Sequence, residues 1–129
     1  MPLESKGPDN LNWLAVMAAH AARNDPRDTF SQAGYLAARL VTETLLKMDP
    51  AKISRATVTE ALRKVSDFRS DMLCKPFYVG NGARHNANNA GPMVVLHGTG
   101  FRAAPEGCLS ADDPELNDVR ADEKKMGLN

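Results

Sequence analysis

The sequence predicts a small α/β protein in which helices pack on a small sheet. Three stretches with apolar residues at helical spacing come before a short β-rich region, so few residues are left to form strands. The chain has 129 residues, about the length of one domain. Its hydrophobic content of 43% and charged content of 25% are typical of globular proteins, so wholesale disorder is not expected.

The first predicted helix spans about 11–23. Asn10 is a suitable N-cap, because its side-chain oxygen can accept a hydrogen bond from a free N–H of the first turn. Trp13, Val16 and His20 recur at helical spacing. Pro26 follows soon afterwards, and proline disfavours helical geometry at the residue before it. We therefore expect a short helix that ends before this proline.

The second predicted helix has the strongest pattern in the chain. It begins at Ser31 or Gln32 and ends at Met48, where an Asp-Pro pair follows. Apolar residues recur at i, i+3, i+4 and i+7, which gives one broad stripe that must be covered. The members of this stripe are Ala37, Leu40, Val41, Thr44, Leu45 and Met48.

A third amphipathic helix is predicted over 55–66. Ser54 and Thr57 are both N-cap candidates: Thr57 followed by Glu60 has the form of a capping box, whereas Ser54 would start the helix one turn earlier. A second apolar stripe follows on this helix, formed by Val58, Ala61, Leu62 and Val65.

The strand signals that follow are short. Segment 72–79 is apolar but contains Pro76, so we expect an edge strand at best. Segment 80–91 is rich in Gly and Asn, a composition that favours turns with positive φ over a backbone cradle for an anion. Segment 92–97 is rich in β-formers.

A hairpin is predicted at the end of that β-rich segment. Gly98-Thr99-Gly100 has the composition of a hairpin turn, and it leads to a short partner strand at 101–103. Such a small antiparallel patch cannot cover three apolar helix stripes. The sequence therefore predicts too few strand residues to cover the apolar faces of its helices.

Composition excludes several classes of function. Lys and Arg together number 16, as do Asp and Glu, and a chain without cationic excess is not expected to work mainly on nucleic acid. No apolar run approaches the ~20 residues of a membrane span. Segment 1–9 lacks the basic and apolar regions of a signal peptide, so the chain as written is expected to stay cytoplasmic.

The two cysteines, Cys74 and Cys108, have two structural interpretations and a less favoured catalytic one. They are ordinary buried thiols or one disulfide bridge, which requires an oxidising compartment. A catalytic pair of Cys74 with His85 is much less favoured, because no third residue or glycine turn orients it. His20, His85 and His97 are widely spaced, so neither a metal site nor a cofactor is expected.

The order of several segments resembles the C-terminal region of type I periplasmic solute-binding proteins. These are the leucine/isoleucine/valine-binding-protein-like receptors of ABC importers. Segment 25–40 (DPRDTFSQAGYLAARL) carries the Gly-Tyr pair that opens a long helix, and 53–62 (ISRATVTEAL) the helix that follows it. A glycine-rich connection with His85 comes next, and a last strand ends before Phe101 in a glycine-containing turn.

This resemblance implies an incomplete lobe of the receptor fold over 10–110, present as a C-terminal fragment. Composition, and not the resemblance, predicts a disordered N-terminus over 1–9 and a charged tail over 111–129 with helical character over 113–125. The tail carries six acidic and three basic residues. The resemblance also implies a periplasmic location, ABC permease subunits as partners and a branched-chain or related amino acid as solute. The role would be binding rather than catalysis.

The start of the second helix is our candidate for the ligand side of the lobe. Free N–H groups at a helix N-terminus attract carboxylates, and the resemblance places this segment near the connection between lobes. We therefore expect solute contacts from Phe30, Ser31, Gln32 and Tyr35. Helix capping by a hydroxyl residue is the competing interpretation of the same segment.

An independent interaction module is the alternative to a receptor. The uncovered apolar helix faces would then form a homodimer or bind a partner subunit, with no small-molecule ligand. A small thiol enzyme built on Cys74 is a third interpretation, and it requires a thiol with a lowered pKa.

Overall fold

Over the residues that the structure describes, the protein combines four α-helices with one two-stranded antiparallel sheet, a small α/β arrangement. The computed structural model describes residues 3–79, 90–110 and 117–125. Residues 80–89, which include His85, and residues 111–116 lie outside the described ranges, and so do the predictions made for them. Across the described ranges, no helix combines the length and the apolar character that crossing a bilayer requires. In chain order the elements are α1 (Pro8–His20), α2 (Thr29–Leu46), a 3-10 turn (Pro50–Lys52), α3 (Arg55–Arg63), β1 (Ala90–His97), β2 (Gly100–Ser110) and α4 (Asn117–Lys125).

Helix α1 begins three residues earlier than predicted. Pro8 takes the first helical position, where its missing N–H is no loss and its fixed φ suits the helix. Asn10 is therefore not the N-cap but lies inside α1, fully buried. Its Nδ2 donates to the carbonyl oxygens of Leu3 (3.0 Å) and Ser5 (2.8 Å). The predicted disordered segment 1–9 thus overlaps the first turn of the helix.

Helix α2 begins at Thr29 because Asp28 is a better cap than the sequence pattern suggested. The Asp28 carboxylate accepts a hydrogen bond from the Ser31 N–H at 2.9 Å. In return, the Asp28 N–H donates to Ser31 Oγ at 3.0 Å. This reciprocal capping box satisfies two donors at the helix start. The helix ends at Leu46, two residues before the predicted end.

Helix α3 starts where predicted and ends three residues early. Its capping box pairs Ser54 with Thr57, so Ser54 is the N-cap and the proposed box from Thr57 to Glu60 is wrong. At this end the Lys64 and Val65 N–H groups donate to carbonyls three residues back, and the Val65 carbonyl accepts a hydrogen bond from the Val79 N–H at 2.9 Å. The backbone after Arg63 pairs with a distant segment instead of continuing the helix.

The hydrophobic core lies between α2 and the segment that follows α3. Its buried members are Leu36 and Leu40 on α2, together with Phe68 and Met72. Each such side chain stabilises the fold by about 1.5–3 kcal/mol when fully removed from water. Partly buried residues pack around this cluster: Tyr35, Leu62, Val65, Leu73 and Phe77.

The predicted edge strand over 72–79 is reduced to a single β-bridge. Phe68 and Phe77 exchange two backbone hydrogen bonds, of 2.9 and 2.8 Å. Pro76 precedes this bridge and has no N–H to extend a ladder. The bridge nevertheless fixes both aromatic residues against α2.

Strands β1 and β2 form the predicted hairpin, but the second strand is much longer than expected. Gly98 adopts a φ of +61° in the two-residue turn, a conformation that glycine tolerates best. The register shifts between Pro92 and Val94, and pairing then resumes between Pro92 and Cys108. Because the ladder resumes beyond this shift, β2 extends to Ser110 instead of ending at Ala103.

The helices do not pack on this hairpin as the sequence suggested. Neither β1 nor β2 contributes a residue to the core cluster. Ala104 is the one hairpin residue that is buried, while Leu96 remains 72% exposed and Phe101 62% exposed. A second layer over the helices is therefore not supplied by the described strands.

Arg39 on α2 joins three parts of the helical body. Its Nη1 pairs with Asp9 of α1 at 2.6 Å, and its Nε pairs with Glu43 one turn along at 2.6 Å. Its Nη2 donates to the Arg69 carbonyl at 3.1 Å, and the guanidinium lies 4.9 Å above the Phe68 ring. A planar guanidinium suits this combination of directed hydrogen bonds and aromatic contact.

Asp9 is ionised at neutral pH in this network. Burial raises its pKa, but hydrogen bonds from Ser70 and Arg39, and the positive charge of Arg39, lower the pKa by more. The net pKa therefore lies below the ordinary value for an aspartate. A carboxyl whose pKa is lowered by folding stabilises the folded state above its unfolded pKa, and this contribution is lost as the pH falls through the folded pKa.

We expect Asp9→Asn to destabilise the protein by about 1–2 kcal/mol near neutral pH, because the half-buried ion pair with Arg39 is lost. The difference in the free energy of unfolding between the variant and wild type should be constant from about pH 5 to pH 8 and should shrink below about pH 4. Urea unfolding followed by the fluorescence of buried Trp13 measures it. Glu60→Gln, an exposed change on α3, is the matched control. A difference that does not vary with pH would contradict the ionised state of Asp9.

Candidate functional site

The most distinctive surface feature is an apolar groove beside α2, which we call the α2 groove. Its volume is about 380 Å³. Helix α2 forms one wall, α3 contributes Leu62, and the segment around the Phe68–Phe77 bridge forms the opposite wall. The lining residues are Ala33, Leu36, Ala37, Leu40, Val41, Leu62, Phe68, Leu73, Phe77 and Val79.

The groove follows from the composition of one face of α2. Leu36 and Leu40 are buried and form its floor, whereas Ala33 and Ala37 are exposed at its rim. Small side chains at this rim leave the space open, and Val41 further along is still 37% exposed. The described residues thus cover part of the apolar stripe predicted from the sequence and leave part of it open.

A second concavity lies on the other side of Leu40 and Phe68. It has a volume of about 430 Å³ and extends along α2 and the end of α3. Its rim carries ionisable side chains of both signs: Glu43, Lys47, Lys64, Asp67 and Arg69. The two concavities therefore differ in chemistry, because no residue that lines the α2 groove is ionisable.

The four predicted solute contacts face different surroundings. Phe30 is 85% exposed. Ser31 is occupied by the capping box, in agreement with the competing interpretation of this segment. Gln32 is fully buried against α1, and Tyr35 packs against the core cluster. None of them lines the α2 groove, so their contact with a solute stays a prediction.

Gln32 belongs to a buried polar contact between the first two helices. Its Nε2 donates to Asn10 Oδ1 at 2.5 Å, and Asn10 in turn holds the N-terminal segment. Trp13 lies one turn after Asn10 and is also buried. Gln32 Oε1 and Trp13 Nε1 have no hydrogen-bond partner among the described residues. This contact sets the approach of α1 to α2 rather than forming an open pocket.

A disulfide joins Cys74 to Cys108. It links the segment after the core residue Met72 to the far end of β2. Both sulfurs belong to this disulfide, so the less favoured prediction of a catalytic pair, Cys74 with His85, lacks the free thiol that it requires. Within the ranges that the structure describes, no three His, Cys, Asp or Glu side chains gather in a way that could hold a metal ion.

A buried polar cluster connects α4 to the segment after the disulfide. Glu123 is 1% exposed, and its Oε2 lies 3.5 Å from Lys75 Nζ. Tyr78 is buried near them. Burial raises the pKa of the Tyr78 hydroxyl, and the negative charges of Glu123 and Asp122 raise it further. Sequence reasoning missed this cluster, because no periodic signal relates Glu123 to a lysine so distant in the chain.

The α2 groove is suited to apolar contact and not to acid–base chemistry. Without an ionisable group it cannot hold the ammonium and carboxylate of a free amino acid, but it can accept an apolar layer.

Comparisons of the chain with protein-family models, with curated proteins and with solved structures found no match.

We expect the groove to bind the aromatic rings of an amphipathic fluorescent dye such as anilinonaphthalene sulfonate in the folded protein. Ala37→Asp should weaken this binding about tenfold, because it places a carboxylate at an apolar rim. Ala38→Asp is the matched control, since Ala38 is exposed, follows directly on the same helix and does not line the groove. Equal loss of dye binding in both variants would place the dye elsewhere.

Proposed function

We propose that this chain is the C-terminal segment of the solute-binding component of an ABC importer for branched-chain or related amino acids. The segment order that resembles type I periplasmic solute-binding proteins supports this. The fold would then be an incomplete lobe of that receptor. The role is binding, in which two lobes close around a solute by a hinge.

The observation that carries the proposal is the open α2 groove. A helix that buries Leu36 and Leu40 while leaving Ala37 and Val41 uncovered is suited to lie against a further layer. A β-layer of the receptor lobe would fill this space. Covering the groove would remove apolar surface from water at a gain of about 25 cal/mol per Å².

The disulfide supports the proposed location. A Cys74–Cys108 bridge forms and persists in oxidising compartments, of which the bacterial periplasm is one. Near the solute, we propose that the first turn of α2 faces the cleft between lobes. Phe30, with 85% exposure, is the most available of the four predicted contact residues. Permease subunits would then receive the closed receptor.

We expect deletion of the gene that encodes this chain to reduce uptake of radiolabelled leucine at low external concentration. Wild-type sequence and Ala38→Asp should restore uptake. Ala37→Asp should not, because a carboxylate buried under the covering layer is strongly unfavourable. Uptake that is unchanged by the deletion would refute the transport role.

Calorimetric titration of the chain alone with leucine complements this assay. Because the solute site needs both lobes, the isolated chain should bind leucine weakly or not at all. Micromolar binding by the chain alone would contradict its dependence on a further layer, even where the uptake result is positive.

A stand-alone homodimeric module is the second candidate, and the same groove favours it. Two copies that meet through their α2 grooves would cover each other's apolar faces without any small-molecule ligand. The two candidates differ in what covers the groove: another layer of the receptor or the same helix of a second copy.

For the homodimer, we expect light scattering after size exclusion to give twice the chain mass. Ala37→Asp should shift the protein to monomer and Ala38→Asp should not, because Ala37 alone of the two lines the groove. A wild-type monomer at high micromolar concentration would eliminate the homodimer and leave the receptor proposal in place.

A further inference from the structure

The hairpin of β1 and β2 is weakly embedded in the rest of the protein. Its side chains are exposed or half-buried apart from Ala104, and Leu96 and Phe101 are well exposed near the turn. An isolated two-stranded hairpin is marginally stable in water. Something must therefore hold it in place against the helical body.

The Cys74–Cys108 disulfide is the crosslink that does so. Cys74 follows the core residues of the helical body, whereas Cys108 lies in β2 just beyond the register shift, opposite Pro92. The two cysteines are 34 positions apart in the chain. The bond thus closes a long loop that contains β1 and most of β2.

The two sulfur-bearing residues differ in access. Cys108 is exposed, and Cys74 is half-buried. Exchange with an external thiol requires access to a disulfide sulfur, and exposed disulfides belong to the labile class. A bridge buried in the core would be protected from such attack.

We propose that the Cys74–Cys108 disulfide is a redox-sensitive clasp, which a dithiol reductant opens to release the β1–β2 hairpin while the helical body stays folded. This clasp is independent of the proposed transport role. It rests on where the crosslink sits, at the junction between an exposed hairpin and a separately packed set of helices.

The exchange chemistry is a two-electron reduction. A thiolate of the dithiol attacks the sulfur of Cys108, the more exposed of the two residues, the Cys74–Cys108 bond breaks, and Cys74 leaves as a thiolate that takes a proton from water. The second thiol of the reductant then displaces Cys108 from the mixed disulfide. The products are two cysteine thiols and an oxidised, cyclic disulfide of the reductant.

The helical body has contacts of its own that do not depend on this bond. Arg39 holds Asp9 and Glu43, and the core cluster packs α2 against Phe68 and Met72. None of these contacts involves a cysteine or a residue of the hairpin. Local release without global unfolding is therefore the expected response.

Native-state amide exchange, measured by NMR before and after treatment with dithiothreitol, tests the clasp. We expect two thiols to become titratable without denaturant and the amides of β1 and β2 to exchange about tenfold faster, whereas those of α2 keep their rates. Cys74→Ser combined with Cys108→Ser should reproduce the reduced state. Ser110→Ala, an exposed change in the same strand that keeps the bridge, should behave as wild type.

Three outcomes would overturn the proposal. The first is that thiols appear only after denaturant is added, which means that the bridge is not accessible. The second is that hairpin exchange is unchanged on reduction. The third is that the amides of α2 accelerate together with those of the hairpin, because the bond then supports the whole fold. If the double serine variant misfolds, reduction of the wild-type protein still decides between these results.

Discussion

The ion pair between Arg39 and Asp9 is the contact on which the helical arrangement depends. The first two helices meet at a buried polar contact, Asn10 with Gln32, next to the buried ring of Trp13. Arg39 adds an ion pair from the middle of α2 to the first turn of α1, and its Nη2 donates to the Arg69 carbonyl at the same time. Because one side chain fixes α1, α2 and the segment after α3, the position of the aromatic bridge and hence the shape of the groove follow from it.

Helix α2 therefore has two faces with different surroundings. The face that carries Arg39 and Gln32 is engaged by polar contacts within the chain, whereas the face that carries Ala37 and Val41 borders an open apolar groove. Interfaces that are permanently covered are more apolar than transient ones. A groove without any ionisable lining residue is in this respect like the interior of a permanent assembly, and this favours a stable covering layer over a passing partner.

Local signals in the sequence predicted the elements, and non-local contacts decided their details. The hairpin turn at Gly98 and the start of α3 follow from residues within one turn of each other, so composition and spacing reveal them. The backbone just after α3 pairs with Val79, and Glu123 is buried beside Lys75. Such partners lie far apart in the chain, and no periodicity relates them. The α2 groove is intermediate, since its stripe is visible in the sequence but the bridge that forms its second wall is not.

The open α2 groove and the exposed hairpin have one cause, which is that the described strands do not cover the helices. The described strands pair with each other and leave both Leu96 and Phe101 in water, while α2 keeps an apolar face that no described strand reaches. A sheet that covered the groove would meet α2 on the face away from Arg39, so it would leave the polar network intact. The helical body can therefore be fully formed before any second layer arrives. On this argument the polar contacts specify the helical arrangement, and burial of the apolar groove would supply free energy if a further layer were to cover it.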